Sequence, residues 1–85
     1  MDEDHVLETI RGYAAANRYE LSDHAYSRMK QRNIRIADIH NALTKAFRCS
    51  SQQNERWRVD GPDMDGDGLT LIVAIEDDLI VVTLY

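Results

Sequence analysis

The apolar residues of this chain change their spacing near residue 47, and this change limits the folds that the chain can adopt. Before residue 47, apolar side chains recur every three or four residues, as on one face of a helix. After it, the spacing changes to two, as in strands: Trp57 and Val59 alternate with two arginines, and residues 69–76 and 79–85 divide into two alternating sets. Helices followed by such strands predict an α+β domain, with the helices packed on one face of an antiparallel sheet.

Capping residues and periodicity together give approximate limits for these elements. Helices are predicted at about residues 3–16, 22–32 and 35–46. Strands are predicted at about residues 47–52, 56–61, 69–76 and 79–85, in a sheet of three to four strands. Residues 19–21 are expected to be a short extended link. The whole chain, residues 1–85, is expected to form a single domain.

The last two predicted strands form a hairpin whose register follows from the apolar pattern. With Asp77 and Asp78 as the loop, one face carries the pairs Ile75–Ile80, Val73–Val82 and Leu71–Leu84. The other face then carries the alternate residues and two arginines of the preceding strand: Thr70, Ile72, Ala74, Val81, Thr83, Tyr85, Arg56 and Arg58.

The second predicted helix carries the densest set of chemically useful side chains. His24, Arg28 and Arg32 are four residues apart and therefore form one stripe on a helix. Ala25 and Met29 form the adjacent apolar stripe, which can face a core. An imidazole beside fixed positive charge suits a phosphodiester ligand.

The charges of the chain are unevenly distributed along the sequence. The net charge is −5, which by itself disfavours a nucleic-acid ligand. However, residues 17–58 carry nine Lys or Arg against four acids, whereas residues 59–85 carry seven acids and no base. This segregation allows a basic face on an acidic body, and an evenly mixed, solvated surface is the alternative.

The cysteine count, the apolar runs and the first residues of the chain argue against several classes of protein. Cys49 is the only cysteine, so no intrachain disulfide can form, and no Cys/His spacing of a zinc finger is present. No apolar run approaches the roughly 18 residues of a membrane span. The residues after Met1 are acidic, unlike the basic start of a signal peptide. We therefore expect a cytoplasmic protein without a membrane partner.

The segment Asp63–Gly68 begins like an EF-hand calcium loop, but the match is incomplete. The position of the bidentate glutamate is occupied by Ala74, and strands replace the flanking helices. We expect a polar connector rather than a metal site. His5 and His40 are both expected at the surface.

The helix stripe belongs to a longer motif with a family resemblance. The motif reads Ser22-x-His24-Ala25-x-x-Arg28-Met29-x-x-Arg32-x-Ile34, then Asp38-Ile39-x-x-Ala42-Leu43. It continues as Trp57-x-Val59-x-Gly61-x-Asp63-x-Asp65-Gly66-x-x-Leu69 and ends as Val81-Val82-Thr83-Leu84-Tyr85. This pattern resembles the uncharacterised bacterial family numbered 4258 among domains of unknown function. Asn33 stands where that family usually has glycine.

The resemblance implies a RelE/MqsR-like toxin fold and a metal-independent ribonuclease activity that requires no cofactor. His24 would act as general base or acid, Arg28 would stabilise charge on the reacting phosphate, and Tyr85 would be a second acid or a stacking residue. RNA would be held by Arg32, Arg56, Arg58 and Thr83. A cognate antitoxin-like protein is the implied partner. It would be basic or neutral if it binds the acidic body of this domain, whereas an acidic tail of the partner would have to bind the face formed by residues 28–58.

Each of these residues also has a structural interpretation. His24 could bond a backbone carbonyl near the helix start, and Arg28 and Arg32 could be solvated or paired with Asp23 or Asp38. Arg56 and Arg58 could protect the sheet from edge-to-edge pairing. The alternative function is therefore a non-catalytic protein–protein interaction module that retains the toxin-like fold.

Overall fold

Residues 2–85 are described by a computed structural model, and within them the chain forms three helices and a five-stranded sheet. The helices are α1 (Glu3–Ala15), α2 (Asp23–Arg32) and α3 (Ile36–Thr44). The strands are β1 (Tyr19–Leu21), β2 (Arg48–Gln52), β3 (Arg56–Pro62), β4 (Gly68–Ile75) and β5 (Leu79–Leu84). The predicted α+β class is confirmed.

The sheet is larger than predicted, and it is mixed rather than antiparallel. Its strand order is β1-β5-β4-β3-β2, in which β1 runs parallel to β5 and the other neighbours are antiparallel. The additional strand is the segment that was expected to be a link: Tyr19 to Leu21 pair with Leu79 to Val81. A three-residue strand is too short to show a period of two, so the alternation could not indicate it.

A β-bulge at Val82 changes the register of the last hairpin. Leu71 pairs with Leu84 as predicted, but Val73 pairs with Val81, and Ile75 pairs with Leu79. The predicted pairs of Val73 with Val82 and of Ile75 with Ile80 are therefore wrong by one residue. Because a bulge inserts one unpaired residue, Val81 and Leu84 are both buried although three positions separate them.

Ser22 fixes the bulge to the start of α2. Its backbone N–H donates to the Val81 carbonyl at 3.0 Å, and its hydroxyl donates to the Val82 carbonyl at 2.5 Å. The same hydroxyl oxygen accepts the Ala25 N–H at 3.0 Å, as a helix N-cap. One residue thus ends the pairing of β1 with β5, begins α2 and satisfies a bulge carbonyl.

The core lies between the three helices and one face of the sheet. Each helix contributes the buried stripe that its periodicity predicts, and the strands contribute alternate residues. These core residues are Val6, Leu7, Ile10, Ala14, Ala25, Met29, Ile39, Ala42, Leu43, Val59, Leu69, Leu71, Val73, Leu79, Val81 and Leu84. The backbones of α3 and β3 are in contact at Gly61, where an added Cβ would lie 2.0 Å from the Ala42 carbonyl oxygen. Glycine is therefore required at this position of β3.

Polar contacts from α3 hold the loop between β3 and β4. The buried Asp38 carboxylate accepts the N–H of Arg35 at 2.9 Å and that of Met64 at 3.0 Å. The Asn41 amide donates to the carbonyls of Pro62 and Asp63. These contacts join the start of α3 to the loop.

The loop between β3 and β4 is also organised internally. One carboxylate oxygen of Asp63 accepts the N–H groups of Asp65 and Asp67, both at 2.9 Å. Gly66 has a φ of +88°, which glycine adopts without strain. Within residues 2–85, no helix has the length and apolar character needed to cross a membrane.

The placement of the core predicts a contrast between two neighbours in β4. Leu71 is fully buried, whereas Ile72 faces away from the helices and is partly exposed. Leu71→Ala should lower the free energy of unfolding by about 2–5 kcal/mol because it leaves a cavity, and Ile72→Ala should have a smaller effect. Urea denaturation of both variants measures this. A larger loss for Ile72→Ala would mean that the helices cover the other face.

The contacts of Asp38 predict a pH dependence. Hydrogen bonds from the Arg35 and Met64 N–H groups hold the pKa of the Asp38 carboxyl below its usual value, with a smaller contribution from the Arg35 charge. Because the folded-state pKa is the lower one, this carboxylate stabilises the fold above its unfolded pKa of about 3.9. The contribution disappears as the pH falls through the folded pKa.

Asp38→Asn should therefore lower the free energy of unfolding at pH 7 by about 1–3 kcal/mol and flatten its acid dependence. The matched control is Asp67→Asn in the same loop, since the Asp67 side chain is exposed. Urea midpoints from pH 7 down to pH 3 provide the measurement. Equal acid dependence in Asp38→Asn and the unmodified protein would contradict the structural role of Asp38.

Candidate functional site

The face of the sheet opposite the helices, here called the open face, collects several of the predicted site residues. Pairing across β3, β4 and β5 places Arg58, Ile72 and Thr83 in one row. A second row contains Asp60, Thr70 and Tyr85, since Thr70 and Tyr85 exchange backbone hydrogen bonds at 2.9 and 3.1 Å. Arg56 lies on the same face, two residues before Arg58.

A groove of about 650 Å³ crosses one end of the open face. It is lined by Ser51, Gln52, Gln53, Arg56, Ile72 and Thr83. These residues provide one guanidinium group, two primary amides, two hydroxyls and an aliphatic side chain, and none of them is acidic. An anionic ligand would therefore meet a cation and neutral hydrogen-bonding groups in the groove.

Thr83 is the residue of the groove whose polar group lacks a partner. Its hydroxyl oxygen is buried and makes no hydrogen bond with any group of residues 2–85. In a regular strand, Thr83 would lie on the same face as the buried Val81. The bulge at Val82 shifts the alternation by one residue, so Leu84 is in the core and Thr83 is on the open face. A buried hydroxyl without a partner reduces stability unless a ligand pairs with it.

A carboxylate positions two of the arginines on the open face. Asp60 lies between Arg48 and Arg58, and its oxygens are 3.6 Å from the Nε atom of each. The Thr70 hydroxyl donates to the same carboxylate at 2.7 Å. Both guanidinium groups remain accessible, with side-chain exposures of 70% for Arg48 and 46% for Arg58. Arg56 forms no ion pair within residues 2–85, and its charge is available in the groove.

The helix stripe of α2 lies at the surface without structural partners. His24 and Arg32 are exposed, and Arg28 is partly exposed. Within residues 2–85, none of these three side chains forms a hydrogen bond or an ion pair that would give it a structural role. The alternative role considered for His24, a bond to a carbonyl near the helix start, is therefore absent from the structure.

The helix stripe and the groove lie on different layers of the molecule. α2 packs on the helical side of β5, whereas the groove is on the open face and contains no residue from α2. β1 ends opposite Val81 and leaves Val82 to Leu84 without a strand partner on that side, and the start of α2 lies at this edge because Ser22 bonds Val82. The Ser22 hydroxyl donates to the carbonyl of Val82, which precedes Thr83 in β5. His24 follows Ser22 by two residues.

Some residues of the site had no signal in the sequence. Ser51 and Gln52 end β2, and Gln53 begins the turn between β2 and β3, where polar residues are typical of any loop. In this turn Asn54 and Glu55 both have positive φ, 61° and 60°, without the glycine that usually marks such a conformation. Val81, predicted on the face with Thr83, is instead buried in the core.

His40 also differs from its prediction. It is partly buried, and its Nδ1 atom lies 3.0 Å from the hydroxyl oxygen of Tyr19 in β1. Burial raises the pKa of the Tyr19 hydroxyl. Because β1 was not predicted as a strand, this contact could not be expected from the sequence.

Within residues 2–85, no group of three or more His, Cys, Asp or Glu side chains is arranged to hold a metal ion.

No curated protein and no solved structure matches the chain. A model of the family described as Domain of unknown function (DUF4258) matches residues 21–85, which include every element from the end of β1 onward. The chain therefore belongs to this family.

Proposed function

We propose that this protein is a small RNA-binding domain of the metal-independent ribonuclease type, with a fold related to the RelE/MqsR-like toxins. The observation that carries the proposal is the collection of Arg48, Arg56 and Arg58 on one exposed sheet face, beside a groove without acidic residues. Guanidinium groups bind phosphates through charge-assisted hydrogen bonds. A sheet face of this kind can follow the backbone of a single strand.

The net charge of the chain does not prevent such binding. The acids of residues 59–85 lie largely outside the open face: Asp63, Asp65 and Asp67 are in the loop between β3 and β4, and Glu76 to Asp78 are in the loop between β4 and β5. On the open face, Asp60 is engaged by Thr70 and two arginines. Glu20 lies on the same face in the edge strand β1, and Glu76 lies beside Ala74 and Arg56. Along β2 and β3, three arginines of the open face outnumber Asp60, so the charge of this part of the face is positive, as association with RNA requires.

The chemical step is assigned to His24, with Arg28 beside the reacting phosphate and Tyr85 as a second acid or stacking residue. Cleavage of RNA at its 2′-hydroxyl requires a group that exchanges protons near neutral pH, and histidine is suited to this. In this proposal, an RNA strand leaves the groove across the edge of β5 that β1 leaves unpaired and reaches the first turn of α2, which Ser22 attaches to Val82. His24 is exposed at that point.

A second function is supported by the same arginines, since guanidinium groups bind carboxylates as well as phosphates. In this alternative the open face binds an acidic segment of a partner protein, such as an antitoxin-like protein, and the domain is a non-catalytic interaction module. The two functions differ in whether RNA is cleaved and in whether RNA binding depends on these arginines.

The proposal predicts how RNA binding depends on salt. Each phosphate contact to a single strand contributes about 0.7 to the slope of log K against log salt concentration, with K the association constant. Arg56→Ala and Arg58→Ala should each reduce this slope by about 0.7 and weaken binding of an unstructured RNA octamer. Lys45→Ala is the matched control, because Lys45 is an exposed cation at the end of α3. Fluorescence anisotropy at several salt concentrations measures the slope. An equal loss in all three variants would contradict a specific role for the open face.

The catalytic assignment predicts a separation of activity from stability. His24→Ala should reduce the rate of RNA cleavage by about 10²–10⁴ and leave the melting temperature nearly unchanged, because His24 is exposed. Cleavage in the presence of EDTA and thermal melting are measured on the same samples. Absence of cleavage in the unmodified protein, together with RNA binding that is indifferent to Arg56 and Arg58, would favour the interaction module.

A further inference from the structure

The first residues of β2 and the neighbouring part of β3 bring together two arginines, a carboxylate and an exposed aromatic ring. We propose that Arg48, Arg58 and Phe47 form a binding site for one nucleotide of a single-stranded RNA, with Asp60 as the residue that positions both arginines. The guanidinium groups bind the phosphate, and the Phe47 ring stacks on the base without selecting its identity. This inference rests on the proposed RNA-binding function and adds a defined subsite to it.

The first support is the arrangement of the two guanidinium groups around Asp60. The Asp60 oxygens lie 3.6 Å from the Nε atoms of Arg48 and Arg58, and the Thr70 hydroxyl donates to the same carboxylate at 2.7 Å. Only 13% of the Asp60 side chain is exposed, against 70% for Arg48 and 46% for Arg58. The carboxylate is therefore turned to its partners, and both arginines keep accessible N–H donors for a ligand.

An acid in this position favours the binding of an anion through its effect on the arginines. Long arginine side chains lose rotational freedom when they bind a ligand, and this loss opposes binding. Asp60 already restricts both side chains, and its charge offsets the repulsion between the two guanidinium groups. Asp60 should therefore strengthen phosphate binding, although its own charge repels a phosphate.

The second support is the position of Phe47. This residue is 54% exposed, and its ring centroid lies 5.7 Å from the guanidinium carbon of Arg48. Its N–H donates to the Asp60 carbonyl at 3.0 Å, so the ring is attached to the residue that holds the arginines. Exposed aromatic rings beside a basic surface stack on the bases of single strands, and every base has a face that can stack. An acidic protein segment would use the arginines but not the ring, so Phe47 favours a nucleotide.

The site is continuous with the groove at the other end of β2. Gln52 of the groove pairs with Arg56, and Ser50 pairs with Arg58. The four residues from Arg48 to Gln52 span about 14 Å of an antiparallel strand. A single strand of RNA that follows β2 from the groove therefore meets Arg56, Arg58 and Arg48 in turn.

The test measures binding of a fluorescein-labelled uridylate octamer by anisotropy. Asp60→Asn should weaken binding about five- to tenfold, because the ligand would then have to order both arginines. Charge attraction alone gives the opposite expectation, since the substitution removes a negative charge from the open face. Glu20→Gln is the matched control, because Glu20 is an exposed acid of the same face without an ion pair within residues 2–85. It should leave binding unchanged or slightly tighter.

A double-mutant cycle separates positioning from a merely structural role of Asp60. In a protein that already carries Arg48→Ala and Arg58→Ala, Asp60→Asn should no longer weaken binding at low salt, because the side chains through which it acts are absent. Equal weakening in both backgrounds would show that Asp60 only supports the fold and would overturn the inference. Unchanged or tighter binding by Asp60→Asn alone would overturn it as well.

The role of the ring is tested by two substitutions at one position. Phe47→Leu should weaken binding about fivefold or more, and Phe47→Trp should retain it, because stacking requires an aromatic ring. Equal binding by Phe47→Leu and the unmodified protein would overturn the nucleotide site. Tighter binding of a polyaspartate peptide than of the octamer, unaffected by Phe47→Leu, would assign the arginines to an acidic protein segment and overturn the inference.

The failure of this inference can be distinguished from the failure of the proposed function. RNA binding that depends on Arg56 but is unaffected by changes at Asp60 and Phe47 would overturn the subsite alone. Absence of RNA binding by the unmodified protein would overturn the proposed function and the subsite together.

Discussion

The hydrogen bonds of Ser22 join the helical layer, the sheet edge and the candidate site. Its hydroxyl caps α2 and donates to the Val82 carbonyl, and its N–H donates to Val81. The bulge held in this way allows both Val81 and Leu84 to enter the core. In a regular strand, Val81 and Leu84 would face opposite sides of the sheet, since side chains alternate. Val81 and Thr83 would then share one face, so Thr83 could not lie on the open face while Val81 is in the core.

The residues of the family motif divide into two groups by their contacts. Ser22 holds the bulge, Asp38 holds the loop between β3 and β4, and Gly61 allows the backbone of β3 to contact α3. These roles explain why the two halves of the motif, far apart in sequence, occur together in one fold. His24, Arg28 and Arg32 have no comparable structural contacts within residues 2–85. These three side chains lie at the surface, and the proposed function gives them a role in binding or catalysis.

Much of the fold could be predicted from the sequence, because long segments have a clear period. The structure has helices and strands near the predicted positions in α1, α2, α3 and the last four strands, for which several turns or alternations provide the signal. β1 was missed because it is three residues long and depends on pairing with β5. The position of Val81 was wrong because a bulge depends on a tertiary contact, here the one from Ser22, which the alternation of residues in β5 does not encode.

The candidate site was less predictable than the fold. The side chains on β3 and β5 follow from alternation, so the positions of Arg58, Thr83 and Tyr85 on one face could be expected. Of the glutamines of the groove, Gln52 ends β2 and Gln53 begins a turn, where side-chain direction depends on a backbone conformation that includes two positive φ values without glycine. The separation of His24 from the strand arginines depends on which layer α2 occupies, which helical periodicity does not determine.

The claim that the open face beside the edge of β5 binds RNA is tested most directly by NMR titration of the ¹⁵N-labelled protein with an unstructured RNA octamer. The account predicts that amide signals of residues 51–58, Ile72 and Thr83 shift first, followed by those of the first turn of α2. Signals of α1 and of the loop between β3 and β4 should stay in place. Shifts restricted to these last two regions, with the open face unchanged at saturating RNA, would contradict the account.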